Sequence, residues 1–186
     1  MRTKETIRTQ IATQRKALNA DWIDQASKKI VTQIQNSDWF KNASTIALYY
    51  PLFGEVDLTD LFQISWRQKK ETAVPVFQPT TQQYAFAKVT STTQQHSGHF
   101  KINEPINPLL VSLKPNDLML VPGVAFDPFV GDRLGRGGGY YDRLLCSFSG
   151  HALGVGFCFQ LVHPIPTEAT DQPIHGLVTE EQLLFF

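Results

Sequence analysis

The stretch Val121 to Arg143 constrains this chain more than any other. An apolar run, Leu118 to Val121, stops at Pro122-Gly123. A loop follows with glycines at 131, 135, 137, 138 and 139, and a segment with helical spacing, Tyr140 to Leu145, closes it. Glycine lets a backbone come close to an anion and turn its N–H groups toward it. The start of the following helix adds unpaired N–H donors and a partial positive charge. Arg133 and Arg136 lie between the glycines, and a guanidinium grips phosphate oxygens in pairs. The stretch therefore reads as a phosphate cradle at the carboxyl end of a strand.

Two better-known cradles are excluded by the residues. No Lys-Ser or Lys-Thr follows the glycines, so this is not a Walker loop. A Gly-x-Gly-x-x-Gly fingerprint begun at Gly135 would end on Tyr140, so the dinucleotide pattern fails. The remaining alternative is a bare surface loop. The interleaved arginines and the flanking Asp127, Asp132 and Asp142 favour a ligand site over it.

The rest of the chain supplies the frame. Residues 3–19 and about 22–36 have helical spacing, the second with Asp21 as the expected N-cap. Thr45 to Tyr50 reads as a strand stopped by Pro51 and Gly54, and Asp57 as the cap of a third helix through Lys70. Thr72 to Phe77 and Tyr84 to Val89 read as strands joined by a polar turn. Residues 90–99 read as a solvated loop, His96 and His99 included. His151 to Phe157 and Gly176 to Thr179 are the last apolar strands. Helices alternating with short apolar strands imply an α/β fold with a largely parallel sheet, in which ligands gather beyond the carboxyl ends of the strands. The loops 51–55 and 122–139 are both strand exits on this reading. At 186 residues, with no repeat and no clear linker, one domain spanning 1–186 is expected.

Charge bounds the partners. Seventeen basic and 17 acidic side chains cancel, so long-range attraction to nucleic acid or to an anionic membrane is not indicated. Cys146 and Cys158 have no metal-site spacing and are expected as buried free thiols. The polar N-terminus carries no secretory signal, and no apolar run is long enough to span a bilayer, so cytoplasmic residence is expected.

Other residues could carry chemistry. At about 100° per residue, Lys4, Arg8 and Arg15 fall on one helix face, where they could track a triphosphate unless they are only a solvated stripe. Glu5 could partner Arg8 or Arg2. Glu55, just after Gly54, could accept hydrogen bonds from the amine edge of a heterocycle. Asp142 and Asp171 could hold Mg2+ against phosphate, with Asp127 and Asp132 as rivals. Tyr140 and Tyr141 could stack on a ligand or pack in the core.

Three separated blocks carry a resemblance. They are Lys4-x3-Arg8 with Arg15 beyond it, Tyr50-Pro-Leu-Phe-Gly-Glu55, and Pro122 to Asp127 with Asp132-Arg-Leu-Gly-Arg-Gly-Gly-Gly-Tyr-Tyr-Asp142. Together they resemble the 5-formyltetrahydrofolate cyclo-ligase family, also called methenyltetrahydrofolate synthetase, over residues 4 to about 179. The resemblance implies a three-layer α/β/α sandwich. It also implies an ATP- and Mg2+-dependent closure of 5-formyltetrahydrofolate to 5,10-methenyltetrahydrofolate, by a monomer or weak homodimer. It assigns Lys4, Arg8, Arg133, Leu134, Gly135, Arg136, Gly137, Gly138, Gly139, Tyr140 and Tyr141 to ATP. It assigns Tyr50, Glu55 and the run Arg136 to Tyr140 to folate, Arg136 and Tyr140 to catalysis, and Asp142 and Asp171 to Mg2+. Two positions depart from the family pattern: Lys101 stands where glycine is usual, and His175 stands where Asp171 usually has a second aspartate four residues on. The competing readings are an enzyme that handles a phosphate ester or CoA without ATP, and a non-catalytic anion-binding or partner-binding module.

Overall fold

The computed structural model describes residues 2–99 and 102–186, so Lys101 lies outside the described residues. Helix α1 (Lys4–Lys16) opens on a capping box in which Thr3 and Thr6 exchange hydrogen bonds, 3.2 Å from Thr6 N–H to Thr3 Oγ1 and 2.9 Å in return. Helix α2 (Ala20–Asn36) is capped by Asn19, whose Oδ1 accepts the Trp22 N–H at 2.7 Å. Asp21, the expected cap, lies in the first turn, where its charge suits the helix dipole. A short helix α3 (Asp38–Asn42), capped by Ser37, was not foreseen.

Strand β1 (Thr45–Ala47) is shorter than expected. Its pairing with both neighbours ends at Ala47, and the chain runs on as an extended segment. Helix α4 (Thr59–Arg67) has Leu58 at its N-cap rather than the expected Asp57, whose Oδ1 accepts the Thr59 N–H at 2.8 Å from one residue earlier. It ends before Lys69, whose φ of 58° leaves the helical region, and so falls short of Lys70. Strands β2 (Glu71–Gln78) and β3 (Gln83–Val89) form the expected hairpin. Within the polar stretch that follows, β4 (Gln95–Ser97) pairs with β5 (Asn103–Pro105) as a separate ribbon. Then come β6 (Leu109–Val111), β7 (Leu118–Pro122), and a small pair, β8 (Ala125–Phe126) with β9 (Arg133–Leu134), inside the glycine-rich stretch. Helix α5 (Tyr140–Cys146) precedes β10 (His151–Val155), β11 (Gly176–Val178) and β12 (Leu183–Phe185). The unforeseen strands are two or three residues long, too short to show a period.

Among the described residues the main sheet has eight strands in the order β12-β11-β10-β7-β1-β2-β3-β6. The central run from β11 to β2 is parallel, and β12, β3 and β6 add antiparallel edges. Alternation along β7 sorts its side chains. Leu118 and Leu120 join the core under α2, α3 and α4, while Met119 and Val121 face α5. Burial on both faces explains why this strand reads as an unbroken apolar run. The layers are α/β/α but unequal. One face carries three helices, and the other carries α5 and the β8–β9 pair, whose Phe126 is fully buried. Helix α1 packs on that pair through Ile7 and Ile11, each 1% exposed. Chain order reverses between β7 and β1, which makes their carboxyl ends the topological switch point. Among the described residues no helix is long and apolar enough to cross a membrane.

The cysteines are not both buried as expected. Cys146, in the last turn of α5, is exposed, and Cys158 is half-buried. Burial pushes the Cys158 thiol up to about 11. At pH 8 that leaves about one thousandth of it as thiolate, the reactive form. A thiol-directed reagent at pH 8 is therefore expected to label Cys146 first, with Cys158 reacting only on unfolding. Peptide mapping of singly labelled protein checks this, and early label on Cys158 would contradict its burial.

Candidate active site

The alternation that builds the sheet also builds the site. On β7, the face that carries Met119 and Val121 continues past the strand end to Gly123. On β2, the face of Ala73 continues to Pro75. Pro75 lies beyond the residues that pair with β1, so its missing N–H breaks no ladder there. A cleft of about 1710 Å³ opens at this rim. Every residue that the family resemblance assigns to nucleotide, folate or metal lines it. Asp127 and Asp132 do not line it. Asp127 is 1% exposed and ties its own turn, accepting Phe129 N–H and lying 2.7 Å from His163 Nδ1.

One wall is the start of α1. Lys4 Nζ lies 2.6 Å from Asp171 Oδ2 and 3.0 Å from Glu168 Oε1. Asp171 also accepts the Glu168 N–H at 2.8 Å. Burial works against the charged Asp171, but the Lys4 and Glu168 hydrogen bonds overcome it and hold the carboxyl below its usual range. Arg8 donates from Nε to Gly135 O at 3.0 Å, so α1 and the glycine loop are stitched together. Glu5 forms no ion pair with Arg2 or Arg8 among the described residues, contrary to expectation.

Arg15 departs from the expected triphosphate stripe. It does not line the cleft but sits behind Glu55, with its NH2 donating to Gly123 O at 3.3 Å. Gly54 makes this possible. Its φ is +74°, and a Cβ there would lie 2.4 Å from Arg15 Cγ. The Glu55 carboxylate, 9% exposed, accepts from Arg136 NH2 at 2.7 Å, from Leu52 N–H at 3.0 Å, and has Arg15 NH1 at 3.9 Å. Arg136 itself is 56% exposed and lines the cleft.

Arg133 lines the cleft from a deep position. Its side chain is 3% exposed, and its NH2 donates to Asp142 Oδ1 at 2.8 Å. Its Nε is buried without a hydrogen-bond partner among the described residues. It supports the loop from beneath, since a Cβ on Gly135 would come within 2.9 Å of its NH1. Leu134 is 2% exposed and packs with Ile7 and Ile11. Tyr141 packs with the core on the α5 face, and burial raises its hydroxyl well above the usual range.

The opposite wall is aromatic. Tyr50 stacks on Phe62 at 5.3 Å and accepts a hydrogen bond from Gln95 Nε2 at 2.5 Å, and burial pushes its hydroxyl up to about 12. Tyr140 meets Tyr84 edge-on at 4.9 Å. His99, expected in solvent, is half-buried, stacked on Phe77 at 4.0 Å with its Nδ1 2.9 Å from the Tyr84 hydroxyl. His96 is exposed as expected. His175 is exposed, and its Nδ1 accepts Ala152 N–H at 3.1 Å on the sheet rather than in the cleft.

Comparison with known proteins decides what this cleft belongs to. The profile of the 5-formyltetrahydrofolate cyclo-ligase family matches residues 1–180. The chain belongs to that family. Its relative in Haemophilus influenzae, a 5-formyltetrahydrofolate cyclo-ligase, is 33% identical over 181 residues, which cover 94% of this chain and 96% of that one. The Escherichia coli K12 protein of the same name is 28% identical over 93% of this chain and 98% of its own. The solution structure of Aquifex aeolicus 5,10-methenyltetrahydrofolate synthetase superposes with a TM-score of 0.85 at 35% identity, covering 98% of this chain and 92% of that one. The Mycoplasma pneumoniae synthetase shares the fold with a TM-score of 0.75 at 23% identity. The protein is thus an enzyme of the ligase class.

Within this cyclo-ligase fold, sequence reasoning overlooked part of the lining. Tyr84, Glu104 and Arg143 all face the cleft. Tyr84 was recoverable, because it shares a face with Phe86, which packs toward α5. Glu104, 8% exposed and accepting Phe77 N–H at 3.2 Å, depends on the ribbon's docking and left no local signal. The carboxylates nominated for metal, Asp142 and Asp171, each stand beside a cation and belong to no three-ligand cluster among the described residues. Mg2+ commonly takes one or two carboxylates and completes its shell with phosphate and water, so this donor set fits it.

Proposed function

We propose that this cyclo-ligase closes 5-formyltetrahydrofolate to 5,10-methenyltetrahydrofolate at the expense of ATP, releasing ADP and phosphate. One observation carries the reading. The Arg136–Glu55 pair joins the glycine loop to a buried carboxylate within a single cleft. A heterocycle held at Glu55 therefore lies next to whatever the loop holds.

Phosphoryl transfer asks mainly for positioning and charge neutralisation. The formyl oxygen forms a bond to the γ-phosphorus, and ADP leaves with the electrons of the broken P–O bond. N10 then adds to the activated carbon and gives up its proton, and phosphate departs with the C–O electrons. Lys4, Arg8 and the main chain of residues 135–139 position the triphosphate. Glu55 accepts hydrogen bonds from the pterin amine edge, and Tyr50 and Tyr140 flank the ring. Arg136, released from Glu55 by that edge, offers its guanidinium to the charge that develops on the transferred group. Arg133 holds Asp142 in place. Asp142 and Asp171 would hold Mg2+, which supplies further neutralisation of phosphate charge when bound.

Absorbance at the methenyl product's band, with 5-formyltetrahydrofolate, Mg2+ and ATP present, tests this directly. The band is expected to grow only in the complete mixture. MgATP alone is also expected to raise the melting temperature, since a ligand at about 100 times its Kd stabilises by about 2.7 kcal/mol. Product formation without ATP, or no product in the full mixture, would sink the reading.

A further inference from the structure

Among the described residues six cations line the cleft: Arg2, Lys4, Arg8, Arg133, Arg136 and Arg143. Three are already neutralised, Lys4 by Asp171 and Glu168, Arg133 by Asp142 and Arg136 by Glu55. Arg2 precedes α1, and Arg8 lies against Gly135 and near Gly137, both at the end assigned to the nucleotide. Arg143 stands at the far end of the same loop, where the loop meets the aromatic wall. Its guanidinium lies over the Tyr140 ring at 4.9 Å, on the aromatic wall that Tyr140 shares with Tyr84. NH2 donates to Gly138 O at 3.1 Å, and NH1 sits 3.2 Å from where a Cβ on Gly139 would be. The bare backbone there gives the fork its place. No acidic side chain pairs with Arg143 among the described residues, and the residue is exposed. It is a cation held in position by stacking and one hydrogen bond, with its outer edge turned to solvent.

A folate has a matching end. Opposite the pterin it carries a glutamyl group with two carboxylates. With the pterin at Glu55 and the ring system along the tyrosines, the anionic end emerges where the wall meets solvent. We propose that Arg143 anchors the glutamyl carboxylates of the substrate and so sets the enzyme's preference for glutamylated folates. A guanidinium takes a carboxylate through two parallel hydrogen bonds, which a neutral side chain cannot reproduce. The inference rests on the folate reading given above.

Arg143→Gln tests it against two substrates, 5-formyltetrahydrofolate and 5-formyltetrahydropteroate, the same compound without its glutamate. For the glutamylated substrate, KM is expected to rise about tenfold, the scale of one charge-assisted pair at a partly exposed site. kcat and the KM for ATP are expected to stay within about twofold, because neither the phosphoryl group nor N10 touches Arg143. For the pteroate, wild type and variant are expected to have the same KM. Equal losses with both substrates would overturn the proposal by making Arg143 a support of the loop. A raised KM for ATP would overturn it by placing Arg143 at the nucleotide. Equilibrium binding of the two compounds without ATP reads the same comparison. It therefore decides the role of Arg143 even if the wild type forms no methenyl product, an outcome that would sink only the proposed reaction.

Discussion

Arg136→Ala is expected to lower kcat/KM about 1000-fold, the scale of an arginine that stabilises a transferring phosphoryl group, with the fall in kcat. The reason is where Arg136 stands. In the free enzyme it pairs with Glu55 at 2.7 Å, yet it is 56% exposed and rooted among glycines. Such a side chain can change partner at small cost. An interaction made only as charge builds on the phosphoryl group lowers kcat and kcat/KM together when it is removed, whereas a ground-state contact shows in KM alone. Stability should barely move. The Arg136 end of the pair is 56% exposed, where such bridges contribute about 1 kcal/mol or less, and the buried Glu55 carboxylate keeps the Leu52 N–H at 3.0 Å and Arg15 at 3.9 Å. For a chain of this size that amounts to a shift of no more than about 4 °C in melting temperature. Steady-state kinetics beside a thermal melt separates the possibilities. Near-normal turnover in a folded Arg136→Ala protein would remove the central piece of the mechanism.

What the sequence disclosed, and what it hid, follows from the range of the interactions involved. The glycine block was legible because its information is local: a strand stop, a run of small residues and a helix start lie within two dozen positions. The parallel core was legible because strands buried on both faces leave unbroken apolar runs, as Leu118 to Val121 does. The cap of α2 was not, since Asn19 and Asp21 are equally good caps and only the chain's entry angle chooses between them. Arg15 was misplaced for a geometric reason. A helical wheel puts it with Lys4 and Arg8 in angle, but it lies seven residues, about 10 Å, beyond Arg8 along the axis, where the Gly54 turn covers it. The depth of Arg133 was hidden too, because exposure depends on what packs above a loop. His99, Glu104 and Tyr84 come together only when the β4–β5 ribbon docks on the β2–β3 hairpin, a contact between segments that carry no mark of one another.

The burial of Arg133 leads to the second large effect. Asp142→Ala is expected to melt about 6–12 °C below the wild type, corresponding to a loss of about 3 kcal/mol. Among the described residues Arg133 is 3% exposed, its Nε has no partner, and Asp142 Oδ1 at 2.8 Å is the one carboxylate within ion-pair distance of it. Removing that carboxylate leaves a guanidinium charge enclosed and unanswered, which costs far more than the pair itself contributes. Asp142 also accepts the Gln172 N–H at 3.3 Å, so the segment bearing Asp171 loses a tie as well. Asp142→Asn divides the two roles. Its amide oxygen can still accept from Arg133 and from Gln172, so about half of the lost stability should return. Its affinity for a hard divalent cation should not, because Mg2+ selects charged oxygen. Activity in Asp142→Asn is therefore expected to remain about 100-fold down at ordinary Mg2+ and to recover partly as Mg2+ is raised. If Asp142→Asn were fully active at ordinary Mg2+, the carboxylate would be a strut for Arg133 and nothing more, and the metal would have to be sought at Asp171 alone.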